Sequence, residues 1–285
     1  MSDSKKSGSN TPGIIIGVDI GGSSTKICAF DGGRFIQPQY VRAGDPLASV
    51  YGALGKFLAA NDIELSQIGR IMATGVGASF ITKPLYNIRT DFVREFDAIG
   101  RGGLYLSGLG AAVIVSMGTG TAIVRAQDGR TSYLGGTGVG GGTILGLAKK
   151  LLDMESMEHI IALAADGDLS RVDLQIGDIS QPESNIGLPE RMTASNFGKV
   201  SDIATRADIA LGIINLVFET VAMQSIFAAR QFGTRDIILT GRLTRIPQSH
   251  RIFTELNALF DVNFLIPKLS EYATVIGAAL GCETN

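Results

Sequence analysis

The sequence has little of what disulfide-rich, nucleic-acid-binding or membrane proteins need. Two cysteines, Cys28 and Cys282, lie near opposite ends of 285 residues, which suggests neither a disulfide framework nor a metal cluster and fits a reducing cytoplasm. The net charge is −2, so no basic surface argues for nucleic acid. No apolar run reaches transmembrane length, because Asn215 and Glu219 interrupt the longest one, residues 207–229, and no membrane role is expected.

What the sequence does contain is a large apolar fraction and many glycines. Hydrophobic residues make up 45% of the chain, and 37 glycines cluster in loops after apolar runs. Such a composition favours a ligand-binding α/β protein, and the length allows one large domain or two lobes. Residues 1–12 are polar and lack the apolar core of a signal peptide, so they are interpreted as a disordered tail.

The first glycine-rich loop lies in residues 13–30. A buried strand ends at Asp19, and the loop that follows contains Gly21, Gly22, Ser23 and Lys26 before the chain returns as a second strand. Glycines let backbone N–H groups approach an anion, and a neighbouring carboxylate suits Mg²⁺ held partly by phosphate oxygens. A phosphate loop is therefore one interpretation, and an ordinary hairpin turn is the other. The return as a strand distinguishes the loop from P-loop and Rossmann fingerprints.

A second hairpin repeats this pattern later in the chain. A buried strand at 111–117 runs into Gly118, Thr119, Gly120 and Thr121, and a strand at 122–126 follows. Further on, the glycine-rich stretch 135–142, which includes Gly140, Gly141 and Gly142, opens a helix predicted at 143–152. Because helix N-termini attract anions, this loop could border a nucleotide.

Apolar periodicity places most of the remaining elements. Helices are predicted at 47–61, 154–165, 203–232, 250–260 and 273–280, strands at 35–41, 68–74, 88–92, 131–134, 236–240 and 262–266, a glycine-rich helix or loop at 96–109, and a polar, loop-rich segment at 167–187.

Four stretches occur in the order typical of one superfamily. GVDIGGSSTK, VSMGTGTA, GGTGVGGGT and ILTGRL…ATVIGAALG resemble the actin-like ATPases. Within that superfamily the chain resembles the type II pantothenate kinases, through ATGVGA at 73–78, VREFDA at 93–98 and MTASNFG at 192–198. The resemblance covers residues 13–281. It implies a two-lobed α/β fold of the ribonuclease H type, with mixed sheets and a nucleotide cleft.

The resemblance also implies an activity, namely transfer of the ATP γ-phosphate to the primary hydroxyl of pantothenate, the first step of coenzyme A synthesis, with ATP and Mg²⁺. It divides the chain into an N-terminal lobe at 13–110 and a C-terminal lobe at 111–285, with the last helix packing back on the first lobe. A cytoplasmic homodimer is implied, with the helix around 211–230 as an interface element.

Residue roles implied by the resemblance follow the motifs one by one. Asp19 matches the acid that positions Mg²⁺. The residues matching nucleotide and phosphate contacts are Gly21, Gly22, Ser23, Lys26, Gly118, Thr119, Gly120, Thr121, Gly140, Gly141, Gly142 and Gly241. Glu95, before Phe-Asp-Ala, matches the base that takes the proton of the acceptor hydroxyl. Its alternative role is to favour the first turn of a helix, whose dipole attracts an acid.

Two positions depart from the family at the acceptor end. Tyr133 stands where familiar members carry an arginine for the pantothenate carboxylate, and Met157 stands where they carry a tyrosine. Thr193 and Ala194, which would contact substrate from the partner subunit, are retained. A neutral phenol cannot form a bidentate charged pair, so either Arg101 or Arg125 replaces the arginine, or the acceptor is another alcohol.

Three alternatives to a pantothenate kinase remain. A kinase of the same fold could act on a different alcohol, such as one resembling pantetheine. An ATPase switch of the dehydratase-activator type would need cysteines for a shared iron–sulfur cluster, and Cys28 and Cys282 form no suitable pair. A sugar-responsive repressor would need a DNA-binding domain, which a twelve-residue tail is too short to form.

Overall fold

The computed structural model describes residues 13–22, 24–42, 44–181 and 188–284, with side chains up to residue 282. The chain divides into two compact units. The first comprises the chain up to residue 110, residues 126–132 and the C-terminal stretch from 272, and the second comprises residues 111–125 and 133–271. The chain therefore leaves the first unit after residue 110 and returns to it twice.

The first unit is built on a five-stranded mixed sheet. Its strands are β1 (Ile14–Ile20), β2 (Ser24–Asp31), β3 (Arg34–Arg42), β4 (Ile68–Thr74) and β5 (Thr90–Phe92). The order across the sheet is β3-β2-β1-β4-β5. β1 runs antiparallel to β2 and parallel to β4, and the register pairs Asp19 with both Lys26 and Thr74. The three side chains therefore share one face of the sheet, at the carboxyl end of β1.

The other face of this sheet packs against a helix. Alternate residues of β1, such as Ile16 and Val18, form a core with Leu54 and Phe57 of α1 (Pro46–Ala60). The amino end of α1 is capped by Asp45, whose carboxylate accepts from the N–H of Ala48 at 2.7 Å. This core holds the strand that ends in Asp19 in its register.

Two helices that cross at glycines cover the face of the first sheet that carries Asp19. In α2 (Glu95–Ser107) a Cβ on Gly102 would lie 1.8 Å from the Ala273 carbonyl oxygen, and in α8 (Ala273–Leu280) a Cβ on Gly277 would lie 1.9 Å from the Ala98 carbonyl oxygen. Since no side chain fits at either position, the two backbones touch. This contact fixes α2, whose first residue is Glu95, relative to β1, where Gly17 gives the same close approach to α8.

The second unit contains another five-stranded sheet and most of the helices. Its strands are β6 (Ala111–Met117), β7 (Thr121–Gln127), β8 (Arg130–Thr137), β9 (Leu174–Gln175), β10 (Thr193–Ser195), β11 (Asp236–Thr240) and β12 (Asn263–Leu265). The end of β7 and the start of β8 lie in residues 126–132, which are grouped with the first unit. Its helices are α3 (Gly141–Leu152), α4 (Met157–Ala164), α5 (Ile176–Ile179), α6 (Arg206–Gln231) and α7 (Pro247–Phe260). The sheet order is β12-β11-β6-β7-β8, and β9 pairs with β10.

The long helix α6 forms the core of the second unit. Phe218 and Val221 are fully buried beside residues of β6 and β11. By length and composition α6 could cross a membrane, and it is the one such helix among the described residues, but 67% of its most apolar stretch is buried inside the protein. The prediction that no segment reaches that length is wrong by this measure. Its burial is typical of the core helix of a soluble protein.

Most predicted elements are present, with shifted ends. The glycine-rich segment at 96–109 is a helix that begins at Glu95, because the Arg94 backbone is extended (φ −60°, ψ 133°) and the helix starts after it. α3 begins at Gly141 rather than 143, and α4 begins at Met157 rather than 154. The region 167–187 was predicted to be loop-rich. Its described part contains β9 and α5, and residues 182–187 lie outside the described residues.

Candidate active site

The carboxylate of Asp19 and the ammonium of Lys26 form an ion pair at the end of the first hairpin. Lys26 Nζ lies 3.0 Å from Asp19 Oδ2, and both side chains are largely buried, with exposed fractions of 14% and 7%. The turn is closed by the N–H of Gly21, which donates to the Ser24 carbonyl at 3.0 Å. Gly22 is exposed beside it, and Ser23 lies outside the described residues.

The residues after β4 form a close-fitting wall beside Asp19. Gly75 has φ +88°, and a Cβ there would lie 2.7 Å from Asp19 Oδ1 and 2.6 Å from the Ile20 carbonyl oxygen. The hydroxyl of Thr74, in register with Asp19, is buried without a hydrogen-bond partner. Mg²⁺ is commonly bound through one or two carboxylates plus phosphate oxygens. One carboxylate at a strand end, beside an unpaired hydroxyl, fits that mode of binding.

Glu95 is the first residue of α2, close enough to Asp19 and Lys26 to feel both charges. The side chain is exposed, yet the surrounding protein desolvates the carboxyl and raises its pKa. The charge of Asp19 raises the pKa further, and Lys26 lowers it. A first-turn acid that acted only on the helix dipole would have its pKa lowered. The balance at Glu95 instead favours a carboxylate that can take up a proton.

Asp97, two residues later, has a different partner. Its carboxylate accepts from Arg94 Nε at 2.8 Å, across the start of the helix. The motif VREFDA therefore divides its acids: Asp97 pairs with Arg94 locally, whereas Glu95 interacts with the Asp19–Lys26 pair.

In the second unit the two glycine loops are joined by backbone hydrogen bonds. The N–H groups of Gly141 and Gly142 donate to the carbonyls of Gly118 and Thr119, both at 2.9 Å. A Cβ on Gly140 would lie 2.6 Å from the Thr119 carbonyl oxygen. The sequence placed these stretches at one site, and the structure does bring them together.

These backbone hydrogen bonds change the role expected for the amino end of α3. The glycine-rich stretch before the helix predicts an anion at its N-terminus, but the N–H groups of Gly141 and Gly142 bind the hairpin loop. The hydroxyl of Thr121 donates to the Val139 carbonyl at 2.9 Å and holds the other side of the loop. The first N–H groups of α3 therefore fix the loop of residues 118–121 rather than face a ligand.

Gly241 completes this region of the second unit. Its φ is +89°, and a Cβ would lie 2.4 Å from the Met117 carbonyl oxygen, at the end of β6. The N–H of Gly241 donates to the Ser270 carbonyl at 3.0 Å, and its carbonyl accepts from the Thr244 hydroxyl at 2.7 Å. Gly241 thus lies directly beside the loop that begins at Gly118.

The residues predicted to bind the acceptor do not form one cluster of polar side chains in the second unit. Tyr133 is 52% exposed on β8, and its hydroxyl lies 2.9 Å from where a Cβ on Gly136 would stand. Met157 packs against the core of the second unit, so packing accounts for its side chain. The guanidinium carbon of Arg125 lies 4.6 Å from the ring centre of Phe232.

Thr193 and Ala194 lie on β10, and their neighbours reveal residues that sequence reasoning missed. The Thr193 hydroxyl donates to Glu219 Oε1, and Asn196 Nδ2 donates to Glu219 Oε2, both at 2.9 Å. Ala194 is exposed. A signal was present: Glu219 and Asn215 are the polar interruptions of an apolar helix. As polar residues in an apolar helix, they indicate buried hydrogen-bond partners elsewhere in the chain.

A search against family models matches the Fumble family over residues 109–256, more than half of the chain. The chain belongs to the Fumble family. A type II pantothenate kinase from Oceanobacillus iheyensis is 28% identical to this Fumble-family chain over 274 residues, covering 93% of the chain and 98% of the relative. One from Bacillus cereus (strain AH820) is 37% identical over 136 residues, covering 45% of the chain and 48% of the relative. The resemblance to type II pantothenate kinases is confirmed.

Solved structures show the fold of the Fumble-family chain. Component A of (R)-2-hydroxyglutaryl-CoA dehydratase from Acidaminococcus fermentans is 18% identical, with a TM-score of 0.66 and coverage of 94% of this chain and 96% of that one. A ROK hexokinase from Thermus thermophilus is 12% identical, with a TM-score of 0.58 and coverage of 95% and 100%. The actin-like ATPase and sugar-kinase fold is therefore confirmed.

Proposed function

We propose that this chain is an ATP-dependent kinase that phosphorylates the primary hydroxyl of pantothenate, the first step of coenzyme A synthesis. The observation that carries the proposal is the cluster of Asp19, Lys26 and Glu95 in the first unit. It occurs in a Fumble-family chain whose relatives from several bacteria are named type II pantothenate kinases.

Glu95 acts as the general base in this proposal. As the acceptor oxygen forms its bond to the γ-phosphorus, the bond from that phosphorus to the ADP oxygen breaks, and the hydroxyl proton passes to the Glu95 carboxylate. The raised pKa of Glu95 supports the role, because a base must hold the proton it receives. The Arg94–Asp97 pair supports it indirectly, by holding the start of α2.

Asp19 is the residue that would hold Mg²⁺. Bound Mg²⁺ neutralises charge on the phosphate oxygens in reactions of this class. Lys26, whose ammonium pairs with Asp19 Oδ2, is the cation at this strand end that would contact the phosphates. The unpartnered hydroxyl of Thr74, in register with Asp19, supports a binding site at this strand end.

Phosphate contacts are proposed for the glycine loop of each hairpin, each within its own unit. In the first unit the loop around Gly21 and Gly22, and in the second unit the loop of residues 118–121, would offer backbone N–H groups to a phosphate. Gly241, beside the second loop, would border the adenosine. The close backbone approaches at Gly140 and Gly241 are to the carbonyls of Thr119 and Met117, so they account for the shape of this loop region, and the nucleotide assignment is supported by the resemblance.

One observation favours a second candidate for the acceptor substrate. Tyr133 replaces the expected arginine, and the guanidinium of Arg125, one candidate substitute, lies over the ring of Phe232. A neutral phenol suits an uncharged polar group better than a carboxylate. An alcohol resembling pantetheine, which lacks the acid, is therefore the alternative acceptor.

Homodimer formation and a cytoplasmic location are the remaining parts of the proposal. The resemblance implies a dimer with the helix around 211–230 as an interface element, but most of the apolar surface of α6 is buried within the second unit, and Phe227 at 58% exposure is the large apolar side chain that α6 leaves outside. The dimer therefore depends mainly on the resemblance. Cys28 and Cys282 are both free thiols, in keeping with a reducing compartment.

The decisive experiment measures ADP release and identifies the phosphorylated product, with MgATP and either pantothenate or pantetheine as acceptor. We expect phosphopantothenate as the main product. A much higher kcat/KM for pantetheine would keep the kinase and replace the acceptor. ATP hydrolysis that neither alcohol stimulates would contradict the assignment as a small-molecule kinase.

A further inference from the structure

The segment of residues 193–198 is attached to α6 by a carboxylate. Glu219 accepts one hydrogen bond from the Thr193 hydroxyl and one from the Asn196 amide, both at 2.9 Å. Both oxygens of Glu219 are thereby used on one short segment. Ala194 and Ser195, between the two attachment points, are exposed.

A second, fully buried carboxylate holds the end of the same segment. Asp173 Oδ1 accepts from the N–H of Phe197 at 2.8 Å, and Asp173 Oδ2 accepts from Asn215 Nδ2 at 3.0 Å. Phe197 has φ +56°, which is uncommon for a residue with a side chain. The ring of Phe197 would lie only 3.2 Å from a Cβ on Gly212 of α6. Residues 193–197 are thus fixed at both ends in one conformation.

The charges of this attachment are unusual. The groups that lower the pKa of Glu219 are the neutral side chains of Asn196, Thr193 and Asn215, and burial outweighs them, so its pKa is raised. Asp173 raises it further and has a raised pKa itself. A fully buried acid and a half-buried one, both satisfied by neutral donors, cost stability when ionised. Because the two acids cost stability, their role is better explained by the segment of residues 193–198 that they hold in place.

We propose that Glu219 is a positioning residue for the acceptor: through Thr193 and Asn196 it holds the segment so that Ala194 is presented to the substrate. The inference rests on the proposed function and on the resemblance, which implies that Thr193 and Ala194 contact the substrate from the partner subunit. The Thr193 hydroxyl donates its proton to Glu219 and accepts from Asn215 Nδ2 at 3.4 Å, so one lone pair of its oxygen remains for a ligand. Thr193 would therefore accept a hydrogen bond from the acceptor.

The test compares Glu219→Met, which has a similar volume and no acceptor oxygens, with Glu219→Gln. A small misplacement of a binding group is expected to cost roughly tenfold in binding, so Glu219→Met should raise the KM for pantothenate about that much and leave the KM for ATP within about twofold. Glu219→Gln should recover most of the loss, because its amide oxygen still accepts from Thr193 and the Asn196 amide can turn.

The matched control is Asp208→Asn. Asp208 is another buried acid of α6, and its carboxylate accepts from the N–H groups of Asp168 and Thr205, away from residues 193–198. This variant should lose thermal stability and keep both KM values. A Glu219→Met variant with the same pattern, reduced stability and an unchanged KM for pantothenate, would overturn the proposal.

Trypsin gives an independent measure, because Arg191 and Lys199 bracket the segment and both are exposed. We expect cleavage at these sites about tenfold faster in Glu219→Met than in the wild type or Asp208→Asn, since local opening controls proteolysis. Equal rates in all three would also overturn the proposal. Failure of the wild type to phosphorylate pantothenate is a separate result that contradicts the proposed function.

Discussion

The candidate site of the first unit is made of charged side chains, and that of the second unit is made of backbone. Asp19 and Lys26 form an ion pair whose charges act on Glu95, whereas Gly118 and Gly141 are joined by N–H and carbonyl groups. Substitution in the first unit should therefore change chemistry while the fold persists. Substitution at a glycine of the second unit should change shape, and with it both stability and nucleotide binding.

The largest effect expected is that of Glu95→Gln. Losing a general base typically reduces kcat by about 10²–10⁴-fold, and the isosteric amide leaves the neighbouring packing intact. Thermal stability and ATP binding should remain near wild type, as measured by a melting scan and by titration with a non-hydrolysable ATP analogue. The control is Asp97→Asn, at the acid that pairs with Arg94. Similar losses of kcat in both variants would assign Glu95 a helix-start role only.

Next in size is Gly102→Ala, which tests whether shape also matters in the charged unit. The new Cβ would lie 1.8 Å from the Ala273 carbonyl oxygen, so α2 and α8 must separate. Overpacking of this kind costs roughly 3 kcal/mol, well above the helix propensity gained. The control is Gly55→Ala on α1, where a Cβ has open space and stability should rise. Equal melting temperatures for the two variants would mean that the helices can separate freely.

Gly140→Ala should have an intermediate effect in the second unit. Its Cβ would lie 2.6 Å from the Thr119 carbonyl oxygen and 2.8 Å from Gly120 Cα. We expect a loss of about 1–3 kcal/mol in the free energy of unfolding and a raised KM for ATP, with the KM for the acceptor unchanged. Gly138→Ala, where nothing lies within 4 Å of the new Cβ, is the matched control. A stable Gly140→Ala enzyme with normal ATP binding would remove this loop from the nucleotide site.

The same contrast explains what the sequence could predict. Strands that end in a polar glycine-rich loop can be recognised from local pattern, so β1, β6 and Gly118–Thr121 were located correctly. Local pattern also gave the bounds of α8 but not its contact with α2, because that contact joins Gly102 to residues far along the chain. Pairing across such distances is decided by the whole fold.

Polar residues inside apolar helices were the main omission. The sequence shows Asn215 and Glu219 as interruptions, but their partners Thr193, Asn196 and Asp173 lie more than 20 residues away. Similarly, the glycines of 140–142 were expected to leave donors for an anion, whereas the folded chain uses two of those N–H groups for its own loop. Glycine spacing predicts a close approach and leaves open which group approaches.

The smallest predicted effect is a shift in pH dependence that isolates the charges of the first unit. The pKa of Glu95 is raised from its ordinary value of 4.5 by desolvation and by Asp19, and Lys26 lowers it. A base must be ionised to act, so kcat/KM should fall as the pH drops through that raised pKa. Lys26→Met removes the charge that lowers the pKa of Glu95 and should move this acid limb to higher pH, in addition to weakening ATP binding.

The control is Lys56→Met on the exposed side of α1, which should leave the pH profile in place. An acid limb at the same pH in Lys26→Met would mean that Glu95 does not feel the Asp19–Lys26 pair, and the catalytic cluster of the first unit would lose its electrostatic basis.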